Sequence, residues 1–170
     1  MQEHRGMRPQ DIVVLIKIAT MTHENWYANG LAMELGIRNQ EVSESIHRSV
    51  IAGLIAPNLR TLMKKEFLEF MEHGLKYAFP QKPGKIVKGV CTAYSAKPLS
   101  QLIPSKDVYV WPWRNGTAQG RSIRPLHAKV AEAALKDKAL YELLALTDAL
   151  RLNRPGEQKL IMAELRKRLM

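Results

Sequence analysis

The stretch Leu31-Ala32-Met33-Glu34-Leu35-Gly36-Ile37-Arg38-Asn39-Gln40-Glu41-Val42-Ser43-Glu44-Ser45-Ile46-His47-Arg48-Ser49-Val50-Ile51-Ala52-Gly53-Leu54-Ile55 decides the fold. Gly36 follows a helical run through Leu31, Ala32 and Leu35, in the place of a left-handed C-cap that only a residue without Cβ adopts freely. After the turn at 36–38, Val42, Ile46 and Val50 recur every four residues, which predicts a helix over 39–52 with one apolar side. Leu35, Ile37, Val42 and Ile46 then form a small shared core, Ala32 lets the two helices approach, and Gly53 releases the chain toward a strand. Two helices joined by so short a turn make a helix-turn-helix unit.

The same reasoning extends outward. Apolar residues at 12, 13, 15, 16 and 19 predict an amphipathic helix over 11–21, started by Pro9. Asn25 is read as the N-cap of the helix that ends at Gly36. Leu62, Met63, Phe67, Phe70, Met71 and Leu75 predict a helix over 61–77, ended by Pro80 and Pro83-Gly84. Residues 85–125 differ in kind. Short β-prone runs at 86–90, 108–113 and 122–123 are separated by Gly, Pro and Ser, and Asn115-Gly116 predicts a β-hairpin between 108–113 and 117–124 because both residues tolerate positive φ. Helix returns at 129–136, at 139–152 with its many leucines, and at 157–169 after Asn153-Arg154-Pro155-Gly156. Met33, Met63, Met71 and Met162 are read as core filler.

The spaced pattern of Leu31-Ala32, Leu35-Gly36-Ile37, Val42-Ser43, Ile46 and Ala52-Gly53-Leu54-Ile55 resembles the helix-turn-helix of bacterial winged-helix transcriptional regulators of the MarR-like type. The resemblance implies a sequence-specific, non-enzymatic regulator of transcription, a repressor more often than an activator, whose helix over 39–52 enters the major groove of double-stranded DNA. On the face opposite Val42, Ile46 and Val50 the helical period places Gln40, Glu44, His47 and Arg48, with Ser43 at the edge. Gln40 can pair with adenine, Arg48 with guanine and Glu44 with cytosine N4, while Ser43 reaches phosphate. The family pattern is broken twice. Arg38 stands where a Ser or Thr cap is usual, so Asn39 is expected to cap one residue late. Pro57-Asn58-Leu59-Arg60 is expected to lead straight into a helix, with no room for a wing. The second half, with Glu69-Phe70, His73-Gly74, Tyr77, Phe79-Pro80, Val110-Trp111-Pro112, Pro125-Leu126-His127 and the run from Leu144 to Arg151, is similar to that of bacterial helix-turn-helix proteins of unassigned role and adds no function.

The chain has 170 residues, enough for one domain with a real core, and its 46% apolar and 25% charged content excludes wholesale disorder. Its net charge of +10 favours a polyanionic partner. The charge is unevenly placed: residues 1–60 hold six bases and six acids, residues 61–130 twelve and four, and residues 131–170 eight and six. Arg114, Arg121 and Arg124 lie in the basic middle third. The hairpin there is either a displaced wing delivering these three to phosphates or an ordinary basic surface hairpin.

Mainly α structure with a small β component is therefore expected: a winged-helix-like helix-turn-helix region over 1–80, a basic β-containing insert over 81–128, and C-terminal helices over 129–170 whose leucine seam would pack against a second copy in a homodimer. No enzyme, metal site or cofactor is expected. The histidines at 4, 23, 47, 73 and 127 have no ligand spacing, Lys82-Pro83-Gly84-Lys85 is not a phosphate loop, and the lone Cys91 reads as a small buried hydrophobe. Trp111 and Trp113 share one strand face and are expected to pack against the domain ahead of stacking on single-stranded bases. One cysteine and no apolar run of membrane length lead to the cytoplasm as the expected compartment, with no membrane partner. The competing functional readings are a protein-interaction adaptor, such as an antitoxin-like partner of an acidic protein, and RNA binding through the basic insert; any small-molecule effector is unassigned.

Overall fold

Two helices buried on nearly every side, Pro9–Thr20 (α1) and Lys138–Leu152 (α8), pack on one another and organise the rest. The computed structural model describes residues 6–22 and 25–170; His4 and His23 lie outside them. The protein is mainly α-helical with one small three-stranded sheet. Around the two central helices stand Ala28–Leu35 (α2), Asn39–Ile51 (α3), Lys64–His73 (α4), Leu75–Ala78 (α5), Leu99–Leu102 (α6), Val130–Lys136 (α7) and Gln158–Leu169 (α9). Residues 11–18 of α1 and 143–151 of α8 are buried without interruption. An apolar stripe was expected of the first helix; instead it is covered all round, as a helix at the centre of a core must be.

The leucines of α8 are spent inside the chain. Leu140, Leu143, Leu144, Leu146 and Leu150 are at most 5% exposed, because α8 packs on α1, α4, α5, α7 and α9 together. Ile161, Met162, Leu165 and Leu169 of α9 are buried in the same core. The seam expected to face a second copy is thus an internal contact between neighbouring helices of one chain.

The strands Ile86–Cys91 (β1), Tyr109–Pro112 (β2) and Ala118–Ser122 (β3) close a miniature barrel. β1 is antiparallel to both others, pairing its C-terminal half with β2 (Val90 opposite Trp111) and its N-terminal half with β3 (Val87 opposite Gly120). It follows that β2 and β3 run parallel, and they pair directly, Tyr109 opposite Arg121. The hairpin expected at Asn115-Gly116 is therefore corrected. A tight turn is present, with the Gly116 N–H bonded to the Trp113 carbonyl at 3.0 Å, but it carries the chain across β1 instead of back along β2. The crossing is allowed by missing side chains. A Cβ on Gly116 would lie 2.3 Å from the Gly89 backbone, one on Gly89 1.9 Å from the Trp111 carbonyl oxygen, and one on Gly120 2.6 Å from that of Val108. Glycine in a strand marks such a close backbone approach, whereas the turn rule weighs only local φ.

The barrel is fastened to α8 by a buried carboxylate. Asp148, 2% exposed, accepts from Thr92 Oγ1 at 2.7 Å, from Trp111 Nε1 at 2.6 Å and from Arg151 Nη1 at 2.7 Å. Arg151 also donates to the carbonyls of Phe79 and Arg124, at 3.0 and 2.9 Å. The chain entering the barrel, the barrel itself and the chain leaving it thus meet at one ion pair. Trp111 packs as expected, 1% exposed, with Trp113 half-buried.

A second polar link joins three helices. Lys17 of α1, 5% exposed, reaches Asp137, the N-cap of α8, at 2.7 Å and also pairs with Glu34 of α2. Burial opposes the charged form of both Lys17 and Asp137. For Lys17 the hydrogen bonds to Asp137 and Glu34 prevail and raise its pKa; for Asp137 the bonds from Lys17 and the Leu140 N–H prevail and lower it.

Gly89→Ala is expected to abolish barrel packing, seen as loss of the near-ultraviolet signal of the buried tryptophans, since the blocking atoms are backbone and cannot rotate away. Gly30→Ala in α2, where the added Cβ meets open space, should be neutral or stabilising by up to ~1 kcal/mol. The Asp137 carboxylate has a lowered pKa, so its contribution is complete above the ordinary aspartate value of about 3.9 and is lost as pH falls through the lower folded value. Urea unfolding from pH 6 to pH 2 should therefore show a shallower acid loss in Lys17→Met than in the unmodified protein.

Candidate nucleic-acid interface

The helix-turn-helix forms as its spacing demands. Gly36 adopts φ 68° and closes α2, and α3 follows after the turn. Two end assignments are corrected. Asn25 does not cap α2, which begins at Ala28 behind Tyr27; Trp26 and Tyr27 are held by Arg60, whose guanidinium lies over both rings and donates to the Trp26 carbonyl. Asn39 is the first residue of α3 and not its cap. Arg38 occupies the cap position without a side-chain bond to the backbone and pairs with Glu41 at 2.7 Å.

The inner side of α3 is fixed by a carboxylate that sees no solvent. Asp11 of α1 is 0% exposed. It receives Ser45 Oγ at 2.5 Å, Arg48 Nε at 2.9 Å and Arg48 Nη2 at 2.6 Å, and closes the α1 N-terminus by accepting from the Arg8 N–H at 2.8 Å. Its hydrogen bond to Arg48, against the cost of burial, raises the guanidinium pKa further. Arg48, expected on the outer face opposite guanine, is therefore turned inward with its side chain only 12% exposed. Helical phase placed it on that face; a charge on the neighbouring helix pulled it off.

What remains outside is polar and sparse. Gln40 and His47 are exposed, with Asn39 at the helix start, while Ser43 and Glu44 are half-buried. Gln40 Nε2 donates to Glu44 Oε1 at 3.1 Å. Ile51, 58% exposed, continues the line one turn on. Leu54 and Ile55 do not run directly into a helix. Ile55 bridges Leu62 antiparallel, the Ala56 N–H meets the Thr61 carbonyl at 2.8 Å, and the Asn58 side chain closes the turn by accepting from the N–H groups of Arg60 and Thr61. A single antiparallel bridge thus stands where the chain was expected to lead straight into a helix, and it delays the next helix from 61 to Lys64. Gly74 then divides the predicted 61–77 helix into α4 and α5.

The basic candidates lie on the barrel. Pairing places Ile86, Lys88, Gln119 and Arg121 on one outer face, all exposed. Arg114 stands in the turn and Arg124 just past β3, also exposed. They are joined to α3 through the segment that leaves the barrel: the Lys129 side chain packs 3.5 Å from where a Cβ on Gly36 would lie. His127 sits beside Glu41, and burial depresses its pKa although Glu41 opposes this. Lys129 and His127 were missed as neighbours of the α3 N-terminus because that contact spans about ninety residues of chain; no local signal reveals it.

Other expectations resolve individually. Met71 and Met162 are core, Met63 is half-buried, and Met33 is corrected to an exposed position at 85%. Cys91 is half-buried, its thiol pKa raised by burial. Among the described residues no group of three His, Cys, Asp or Glu could hold a metal, and no helix is long and apolar enough to cross a membrane. Compared with protein-family models, curated proteins and solved structures, the chain matches none.

Arg48→Ala is expected to destabilise the protein by about 3–5 kcal/mol in urea unfolding, because it leaves the Asp11 charge buried and unpaired. The paired change Asp11→Leu with Arg48→Met should cost far less than the two single changes added together. A small effect of Arg48→Ala would return that residue to the surface.

Proposed function

We propose that the protein is a sequence-specific double-stranded-DNA-binding regulator of transcription, acting as a repressor, with α3 in the major groove and the basic residues of the barrel and of Lys129 on phosphates. The observation that carries this reading is a polar outer line on α3, namely Asn39, Gln40, Ser43, Glu44 and His47, on a helix whose inner side is clamped to α1. A rigid mount keeps a reading helix from losing affinity to its own motion. The likeness of residues 31–55 to MarR-like regulators and the antiparallel bridge after α3 support the same reading. Gln40 and His47 are its base readers, and Arg114, Arg121 and Arg124 its phosphate contacts.

Mobility shift on the upstream region of its own operon at about 150 mM salt should show preference over random duplex. Gln40→Ala should relax base preference at one position by about 1–3 kcal/mol. Arg121→Ala should weaken all duplexes alike and reduce the salt slope by about one. Equal binding to every duplex would defeat the sequence-specific claim. Reading two half-sites would require a homodimer built on a surface other than the α8–α9 seam, visible as doubled mass in sedimentation.

One observation favours a protein-interaction adaptor as second reading. With Arg48 committed to Asp11 and Arg38 to Glu41, the outer face of α3 carries little free positive charge. Copurification of a stoichiometric acidic protein, with no duplex retained, would select it.

A further inference from the structure

Between the barrel and the junction of α7 with α8 lies a cleft of about 470 Å³, within the ~300–1,000 Å³ range of small-molecule sites. Part of its wall is apolar, formed by Ala96, Ala134, Leu135 and the ring of Tyr141. Leu135 is 51% exposed there, a large side chain with half its surface in water. The Tyr141 hydroxyl is already used, donating to the Cys91 carbonyl, which leaves its ring as lining.

The rim has a different chemistry. Lys97, Lys136 and Lys138 all line the cleft and are exposed, and none of their ammonium groups has a hydrogen bond or ion pair to any described residue. The acids that could neutralise them are engaged elsewhere. Asp137, between two of these lysines in the chain, is turned inward to Lys17 at 2.7 Å and to the Leu140 N–H at 3.1 Å. Glu142, the acid lining the cleft, receives Arg168 Nε at 2.9 Å. Three ammonium groups on one rim without a counter-charge repel one another and raise the local positive potential, which favours an incoming anion.

We infer that this cleft binds a small amphipathic anion, its phosphate or carboxylate head on Lys97, Lys136 and Lys138 and its apolar body against Leu135, Ala96 and Tyr141. The size of the cleft suits one such molecule, and the combination of an apolar wall with a cationic rim distinguishes it from the barrel face, where bases stand on a convex surface. The site is separate from α3 and does not depend on the DNA-binding reading.

Titration calorimetry with octyl phosphate and with octanoate tests it on the full chain, inorganic phosphate serving as the bare anion. Saturable binding of one molecule per chain is expected for at least one amphiphile, and the tighter of the two identifies the head group. Lys136→Gln with Lys138→Gln should weaken it at least ~10-fold, the scale of one or two lost charge-assisted bonds, and Leu135→Gln should weaken it without touching the charge. Lys88→Gln with Arg121→Gln on the barrel face should leave it unchanged. Amide shifts on binding should centre on residues 91–97 and 134–142, which locates the site even if one variant folds poorly. No saturable binding of either amphiphile, undiminished binding in the double lysine variant, or inorganic phosphate binding as tightly as octyl phosphate would each overturn the proposal.

Discussion

Asp148 on α8 is a charge without access to water, and the arrangement of half the molecule follows from satisfying it. An isolated carboxylate in a protein interior costs several kcal/mol, so its oxygens must be met by fixed donors. They are met by Thr92 at the end of β1, Trp111 on β2 and Arg151 one turn further along α8. Arg151 then uses its remaining donors on the carbonyls of Phe79 and Arg124 and on the Gln81 side chain. A barrel of three short strands has too little apolar surface to hold itself together. Strand pairing closes it, and its position on α8 comes from this network and from the contact of Trp111 with Tyr141, rings 5.5 Å apart.

Asp11 does for the helix-turn-helix what Asp148 does for the barrel. Each is a nearly inaccessible carboxylate paired with an arginine and a hydroxyl, and each joins a central helix to a peripheral unit: α1 to α3 through Ser45 and Arg48, α8 to the barrel through Thr92 and Trp111. Apolar packing of α1 on α8 brings the two assemblies together, and the Lys17 link to Asp137 and Glu34 adds a polar tie across the same junction. Such pairs add little net stability relative to an apolar core, but removing one partner is costly. They therefore fix which surfaces meet.

The distribution of charge gains meaning from this. Part of the basic excess of residues 61–130, Lys88, Arg114, Arg121 and Arg124, stands on or beside the barrel and is followed by Lys129 at the α2–α3 turn, while α3 has its own arginine drawn inward to Asp11. In the DNA-binding reading, phosphate attraction and base reading are thus separated between two units that share α1 and α8 as a common frame.

Helix placement was legible in the chain wherever period and punctuation agreed. Gly36, the four-residue spacing of Val42, Ile46 and Val50, and Asn153 before the last helix marked their elements correctly because each acts within a turn or two of backbone. Gln40 and His47 were likewise placed outward by helical phase alone. Local signals misled where a distant partner intervened. Arg48 left the outer face because Asp11, thirty-seven residues earlier, offered it a bidentate bond. Asn115-Gly116 made a turn without a hairpin because the chain crossed β1 at Gly89. The leucines of α8 served one chain because five other helices surround it. Propensity, capping and phase are short-range and so are fixed by sequence; pairing of buried charges, strand order and the fate of an apolar face depend on what lies opposite, which only the tertiary structure decides.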